Sequence, residues 1–312
     1  MTSLRSGRHS ARRAAPRRRS GHGAGHAVLL VLLAAAAFVL LRAAGLFSMT
    51  GVPKENIEAD FGIELTALTS MERYGQGGGD ADPADAEALR ALAKKRPRDA
   101  DRLNFIADNI GDFSNNGVKN VLKSPEVSDF VLRAAYGPRE NRPGGAVRVH
   151  KGSIPYFVQY DSRWAFAQYG SSYMGYTACG PTCLAMCAAG LTGNADYTPE
   201  YVANFAERSG YYVDGTGTSW SLFTDGAAQL GLRGEAVSTS EREMKKSLKH
   251  GALIASMSAG DFTNAGHFIV IVKSGLGGFT VYDPSSTERS GRLWSYRRLA
   301  PQIAQLWAID AN

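Results

Sequence analysis

The hydrophobic positions of this chain follow three patterns in succession. Residues 27–41 form an uninterrupted run of fifteen apolar residues. Residues 51–154 hold six aromatic side chains, and their apolar residues recur at helical spacing between Gly, Pro and Asn breakers. Residues 155–312 hold 22 aromatic side chains, so most of the material for a hydrophobic core lies in this last segment.

The second and third segments predict different secondary structure. The second predicts short helices over 85–95, 99–109 and 124–135. The third first predicts helices over 179–190, 198–208, 218–230 and 240–251, most of them introduced by a proline or a cap residue. It then predicts strands over 253–257, 267–273, 279–282 and 306–309, with a hairpin turn at 275–278. Helices followed by an antiparallel sheet are typical of an α+β domain.

The apolar run predicts a membrane segment. Beyond Arg42 the apolar character continues, and the 23 residues from 27 to 49 can span a hydrocarbon core about 30 Å thick. Seven arginines and no acidic residue precede the run, which predicts a cytoplasmic tail over 1–26 and a signal anchor over 27–49. The rest of the chain is then held outside the cell membrane by a single span. A cleaved signal peptide, which would leave a secreted protein, is the alternative.

Outside the tail, the chain is nearly neutral. Removing the seven arginines from the net charge of +6 leaves −1 for the remainder. That balance provides no basic face for nucleic acid, which is therefore not an expected partner. Residues 50–149 are predicted to be a helical spacer, a short stalk whose removal should leave the stability of a main domain at 150–312 unchanged. A substrate- or wall-binding module is the alternative, although no motif supports it.

The three cysteines stand four residues apart, at the start of one predicted helix. Gly180 and Pro181 follow Cys179, and proline is tolerated in the first helical turn, where its missing N–H has no intrahelical acceptor. The helix dipole would favour a thiolate at Cys179. Cys183 and Cys187, further along the helix, are predicted to be small buried residues. A zinc site is disfavoured because no second ligand cluster occurs, so neither a metal nor another cofactor is expected.

A nucleophilic thiol needs a histidine, and His267 is the candidate. It opens a predicted strand whose hairpin partner ends at Asp283, and a carboxylate there would orient the imidazole. A hairpin loop of three or five residues would put both side chains on one face of the sheet, whereas a loop of four would not. A strand-edge role for His267 and a turn-forming role for Asp283 are the alternatives.

The negative charge that develops on an attacked carbonyl oxygen needs hydrogen-bond donors. The backbone N–H of Cys179, at the helix start, is one candidate. The side-chain amide of Gln159, in the extended segment before the cysteines, is the other. A surface glutamine without a catalytic role is the alternative for Gln159.

Four short motifs then carry a resemblance to a known family, in the order 159–164, 178–182, 266–268 and 283–284. Together they resemble the bacteriocin-leader-processing peptidases, family thirty-nine of the cysteine peptidases within the papain-like group. The chain is more similar to membrane-anchored or secreted bacterial homologues that lack a transporter. The resemblance implies a papain-like fold over 150–312, with amino-terminal helices packed on an antiparallel sheet. It also implies that Cys179, His267 and Asp283 form a catalytic triad and that Gln159 binds the oxyanion.

The leading functional hypothesis is an extracytoplasmic cysteine peptidase or amide hydrolase. Its expected partners are a peptide or protein substrate and, through residues 27–49, the membrane. A peptidoglycan amide hydrolase with the same triad is one alternative, and a non-catalytic binding domain that keeps the fold is another. The sequence contains no G-x-x-x-x-G-K-[ST] motif, so no ATP-driven transport step is expected from it.

Overall fold

An antiparallel sheet forms the carboxyl-terminal part of the protein, as the apolar strands predicted. The structure is a computed structural model that describes residues 54–68 and 79–312. Its strands are β1 (Gln168–Tyr169), β2 (Ser172–Tyr173), β3 (Tyr212–Val213), β4 (Gly217–Thr218), β5 (Leu232–Ala236), β6 (Ala252–Met257), β7 (His267–Gly275), β8 (Gly278–Tyr282), β9 (Leu293–Trp294) and β10 (Ile303–Ala311). Within the described residues, six of them form one sheet in the order β5-β10-β6-β7-β8-β9, and every neighbouring pair is antiparallel.

Helices precede the sheet and fill the connections between strands. The α-helices in the described residues are Leu65–Leu68, Asp85–Lys95, Ala100–Asp108, Asn115–Lys123, Ser128–Tyr136, Met174–Thr177, Cys179–Thr192, Pro199–Arg208, Asp225–Gln229, Glu241–Ser247, Thr287–Ser290 and Tyr296–Leu299. Single 3₁₀ turns occupy Lys54–Asn56, Ile110–Asp112, Pro125–Val127, Trp220–Phe223 and Ala300–Gln302. The predicted α+β class is confirmed.

Two elements of the structure were not predicted, and each has a local cause. The sequence places a helix breaker at 115–117, yet a helix begins there, because the Ser114 hydroxyl accepts a hydrogen bond from the backbone N–H of Gly117 at 3.1 Å and caps it. β5 was not predicted. It is an edge strand with exposed charged side chains, and it lacks the apolar run that identifies the central strands.

The central strands are buried on both faces, so their side chains divide between two cores. Every residue of β6 is buried. Ile254 and Val270 belong to the core that contains the helix Cys179–Thr192, hereafter the cysteine helix. Leu253 and Ile271 point into a second core on the other side of the sheet, against Met244, Phe262, Trp294 and Leu299. A continuous apolar run, rather than an alternating one, is what such two-sided burial requires.

The cysteine helix lies close against its neighbours because glycine occupies its contact points. A Cβ atom at Gly190 would lie 2.7 Å from the Cα of Ile154, so only glycine lets the chain at 153–154 cross the helix. The helix continues past the predicted end at Gly190 and stops at Thr192. Gly193 closes it with φ of +79°, the left-handed conformation that ends many helices.

Residues 79–136, hereafter the helical layer, pack on the main domain. The Phe130 ring lies 4.7 Å from that of Tyr176 and 5.1 Å from that of Phe166, centroid to centroid. Buried side chains of the layer, such as Leu103 and Ile106, belong to the same hydrophobic core as the cysteine helix. The prediction that these helices form a spacer apart from the main domain is therefore wrong. Their apolar stripes have to be buried, and the main domain provides the surface.

The region before the layer is also tied to the main domain. Asp161, fully buried, accepts a hydrogen bond from the backbone N–H of Glu58 at 2.7 Å and pairs with Arg163 at 2.8 Å. Arg163 in turn donates to the backbone carbonyl of Asn56 at 2.7 Å. The described residues from 54 onward thus form one compact unit.

The predicted basic tail and signal anchor, over 1–26 and 27–49, lie outside the described residues. None of the helices in the described part of the chain has the length and apolar content that crossing a membrane requires.

Because the layer and the main domain share a core, we expect them to unfold together. All four tryptophans lie between 164 and 307, so tryptophan fluorescence reports on the main domain alone. Phe130→Ala removes a ring that is 1% exposed, and it should lower the free energy of unfolding measured by that fluorescence by about 3–5 kcal/mol.

Leu276→Ala is the matched control, since Leu276 is fully exposed in the β7–β8 turn and its removal should not change stability. An unchanged fluorescence transition in Phe130→Ala would contradict the shared core and restore the spacer.

Candidate active site

The cysteine helix begins at Cys179, as predicted. Its side chain is partly exposed, whereas Cys183 and Cys187 are fully buried. Burial raises the pKa of both buried thiols, which keeps them protonated. Gly180 lets β4 approach the helix start, because a Cβ atom there would lie 2.6 Å from the Thr218 hydroxyl. Of the three thiols, Cys179 is the one that a reagent or substrate can reach.

His267 and Asp283 are brought together, with 2.8 Å between the imidazole Nε2 and the carboxylate Oδ1. The hairpin that does so has a two-residue turn, since Gly275 pairs with Gly278, and not the loop of three or five residues that a simple ladder requires. A β-bulge, seen as a register shift between Ile271 and Lys273, inserts one extra residue into β7. The extra residue restores the parity that puts both side chains on the same face.

Asp283 is fully buried and its carboxylate is hydrogen-bonded through both oxygens. Oδ1 accepts from His267 and, at 2.8 Å, from the backbone N–H of Ser285. Oδ2 accepts from Arg289 Nε at 2.5 Å. Burial alone would raise the pKa of this carboxyl group, but the charges of Arg289 and His267 outweigh burial and lower the pKa to about 2. Asp283 is therefore a carboxylate at neutral pH.

His267 carries the matching positive charge. Burial works to lower its pKa, but the Asp283 carboxylate opposes this, and hydrogen bonding and charge interaction with the Cys179 side chain add to the opposition. The net result is a pKa raised from 6.5 to about 9. The imidazole is then an imidazolium at neutral pH, and it is placed between a carboxylate and the accessible thiol. Its Nε2 faces Asp283, which leaves Nδ1 free to face the sulfur.

Gln159 lies between the cysteine segment and the Asp283 segment. Its backbone N–H donates to the Pro284 carbonyl at 2.9 Å, and its side-chain Nε2 donates to the Gly175 carbonyl at 3.0 Å. Its Oε1 accepts from the Ser285 hydroxyl at 3.1 Å, which fixes the orientation of the amide. An amide nitrogen carries two hydrogens, so a second donor is available beyond the bond to Gly175.

The sequence did not single out three residues that fix the position of Asp283. Tyr156 donates its hydroxyl to the backbone carbonyl of Asp283 at 2.7 Å. Ser290 accepts from the Asp283 backbone N–H at 2.7 Å. Arg289, six residues after Asp283, binds the carboxylate itself. Its only sequence signal is an arginine in a polar loop, and such arginines are ordinarily exposed.

The arrangement supplies the parts that nucleophilic acyl transfer requires. An accessible thiol stands at a helix N-terminus beside an imidazolium, and a buried carboxylate orients the imidazole. The described part of the chain contains no group of three or more His, Cys, Asp or Glu side chains that could hold a metal ion.

Comparison with known proteins agrees with the geometry. A comparison with curated proteins gave no match. The model of the Peptidase_C39 like family matches residues 151–311, just over half of the chain. This segment contains the cysteine helix, the sheet and the residues Gln159, Cys179, His267 and Asp283, whereas the helical layer precedes it. The chain therefore belongs to the Peptidase_C39 like family.

Proposed function

We propose that this protein is a cysteine hydrolase that cleaves peptide or amide bonds, with Cys179 as its nucleophile. The observation that carries the proposal is the buried His267–Asp283 pair beside the accessible thiol. Burying charged groups costs free energy of folding that apolar residues would not cost. A domain that only binds a partner has no need of that charged pair, so its presence favours catalysis over the non-catalytic alternative.

The reaction begins with the Cys179 thiolate attacking the carbonyl carbon of the scissile bond. The C–S bond forms as the carbonyl electrons move onto oxygen, and this oxyanion accepts hydrogen bonds from Gln159 Nε2 and the backbone N–H of Cys179. That backbone N–H is available because the first residues of a helix have no intrahelical acceptor. The oxyanion then collapses, the C–N bond breaks, and the His267 imidazolium gives its proton to the departing amine.

A second half-reaction releases the acyl group. His267, now neutral, takes a proton from water, and the resulting hydroxide attacks the thioester carbonyl. The C–S bond breaks, the carboxylic acid departs and loses its proton to the medium, and the thiolate–imidazolium pair is restored. Asp283 stays ionised throughout, because its pKa of about 2 lies far below neutral pH. Its part is to orient the imidazole and stabilise the imidazolium.

We further propose that the catalytic domain works outside the cell membrane, with residues 27–49 as its anchor. The seven arginines before the apolar run support that orientation. A peptide or protein is then the expected substrate. Peptidoglycan, whose stem peptides contain amide bonds accessible to the same chemistry, is the second candidate because it shares this location.

Thiol labelling and hydrolysis test the nucleophile together. Iodoacetamide at about pH 6 should alkylate Cys179 and leave Cys183 and Cys187 unmodified, because the latter two are buried and protonated. Cys179→Ala should abolish both labelling and the hydrolysis of a peptide library, while the control Cys187→Ala should retain both. Equal labelling of the three cysteines, or hydrolysis by Cys179→Ala, would overturn the assignment.

Comparing a peptide library with muropeptides separates the two substrate classes. Cleavage of linear peptides supports a peptidase, whereas cleavage confined to muropeptides supports the peptidoglycan alternative. If neither is cleaved by a chain whose Cys179 reacts normally, the domain binds without catalysing and the proposed hydrolysis is wrong.

The pH dependence of kcat/KM tests the charge state of His267. The active form needs a protonated imidazole, and its pKa is raised to about 9, so kcat/KM should fall as pH rises through about 9. Asp283→Asn removes the carboxylate that raises this pKa, so the fall should move to lower pH.

Asp310→Asn is the control for that experiment, since it removes a carboxylate paired with Arg233 on the far strands of the sheet. This variant should leave the pH at which kcat/KM falls unchanged. An identical basic limb in the wild type and Asp283→Asn would show that His267 does not set it.

Membrane orientation is tested on intact cells. Added protease should degrade the domain over 150–312 and spare a tag fused before Met1, because the tag is expected in the cytoplasm. A protected domain with an exposed tag would reverse the orientation, and a domain found in the medium would show that the anchor is cleaved.

A further inference from the structure

The arginine that binds Asp283 is itself held by the helical layer. Arg289 donates from Nε to Asp283 at 2.5 Å. From its two terminal nitrogens it donates to the backbone carbonyl of Lys123 at 3.0 Å and to the Ser124 hydroxyl at 2.8 Å. The side chain is 9% exposed, so these contacts are made away from solvent. One guanidinium thus joins the carboxylate next to His267 to the end of the helix Asn115–Lys123.

A second contact fixes the short helix that carries Arg289. Glu126, in the layer, accepts hydrogen bonds at the start of the helix Thr287–Ser290 from the backbone N–H of Thr287 at 3.0 Å and from the hydroxyls of Ser286 and Thr287. A carboxylate at a helix N-terminus satisfies free N–H groups and matches the helix dipole. Glu126 therefore holds the loop that begins at Asp283.

A third contact reaches the other side of the site. Lys123 donates from Nζ to the backbone carbonyl of Gly260 at 2.5 Å, in the loop that leads into β7 and His267. Within the four residues 123–126, hereafter the positioning turn, Lys123, Ser124 and Glu126 thus contact the segment that begins at Asp283 and the loop that leads into His267. None of the four lies in the segment that the family model matches.

We propose that the positioning turn and Arg289 orient Asp283 toward His267, which makes the helical layer a working part of the active site. The inference rests on the proposed function in taking Cys179, His267 and Asp283 as the reacting groups, and it adds the residues that place them. Arg289 touches no reacting atom and is a positioning residue. Its planar guanidinium donates to Asp283, Lys123 and Ser124 at the same time and in a fixed geometry, which the single ammonium of a lysine cannot reproduce.

Two variants of the full chain test this, Arg289→Lys and Glu126→Gln. Arg289→Lys keeps the positive charge but loses the planar guanidinium and its set of three hydrogen bonds. Glu126→Gln weakens the contact that holds the helix Thr287–Ser290, and it changes no atom that touches Asp283. Each should lower kcat by about 10- to 100-fold with little change in KM, because a catalytic group is misplaced while the binding surface stays intact. Should Arg289→Lys fail to fold, Glu126→Gln alone decides the outcome.

Glu288→Gln is the matched control. Glu288 lies in the same short helix and pairs with Arg96 of the helical layer at 2.5 Å, but this pair is at the surface and does not support Asp283. The control should keep wild-type kcat. A purely structural role for the positioning turn would lower the thermal midpoint of Arg289→Lys and Glu126→Gln, with kcat unchanged at temperatures where both are folded, and that result would overturn the inference.

Titration of the His267 imidazole by NMR provides a readout that does not require hydrolysis. In the wild type the imidazole should titrate near 9, and in Arg289→Lys and Glu126→Gln it should titrate at lower pH, because Asp283 no longer points Oδ1 at it. Both midpoints equal to that of the wild type would overturn the inference. If the wild type hydrolyses no substrate but the two variants still lower the pKa of His267, the proposed function is wrong and the positioning role is supported.

Discussion

The buried carboxylate of Asp283 is the constraint on which the rest of the structure depends. A carboxylate without solvent is stable only where charges and donors replace water, and here Arg289, His267 and the backbone N–H of Ser285 do so. Each of these partners has to be supplied by a different piece of the fold. β7 carries the imidazole of His267, and the turn just after Asp283 supplies the backbone N–H of Ser285. The short helix that contacts the helical layer carries the guanidinium of Arg289. The same charges that stabilise the carboxylate keep it ionised beside the imidazole.

Register decides whether His267 and Asp283 can meet. The β7–β8 turn is tight, and an unbroken ladder from it would place His267 and Asp283 on opposite faces of the sheet. The bulge near Val272 reverses the alternation for every residue beyond it. It therefore acts on the site from a distance of several residues, without any side chain of its own in the chemistry. Turn length and bulge have to be considered together.

The sequence predicted what local signals determine and missed what distant contacts determine. Gly180-Pro181 and the apolar residues after it place Cys179 at a helix start, and the run after His267 identifies a buried strand. The turn length and the bulge depend on strand pairing, which no local residue pattern specifies here. The sequence around Arg289 indicates only an arginine in a polar loop. Its role depends on a contact with Ser124, which lies 165 residues away in the chain. The packing of the helical layer was missed for the same reason. Its few aromatic residues suggested a stalk, but Phe130 and the aliphatic stripes of its helices are buried against the main domain.

The helical layer ties stability and site geometry to the same contacts. Its aromatic contact, Phe130 with Tyr176, lies on the segment just before Cys179, while Lys123 and Glu126 bind the loops that carry His267 and Asp283. Parts of a protein open locally at a lower free energy than global unfolding. An opening confined to the positioning turn would leave the shared core, the sheet and the cysteine helix in place, but it would release Arg289 from Lys123 and Ser124 and weaken its hold on the buried Asp283. Hydration would then favour a carboxylate that is turned toward solvent and away from the imidazole. Loss of the contact between Asp283 and His267 should therefore precede loss of the fold.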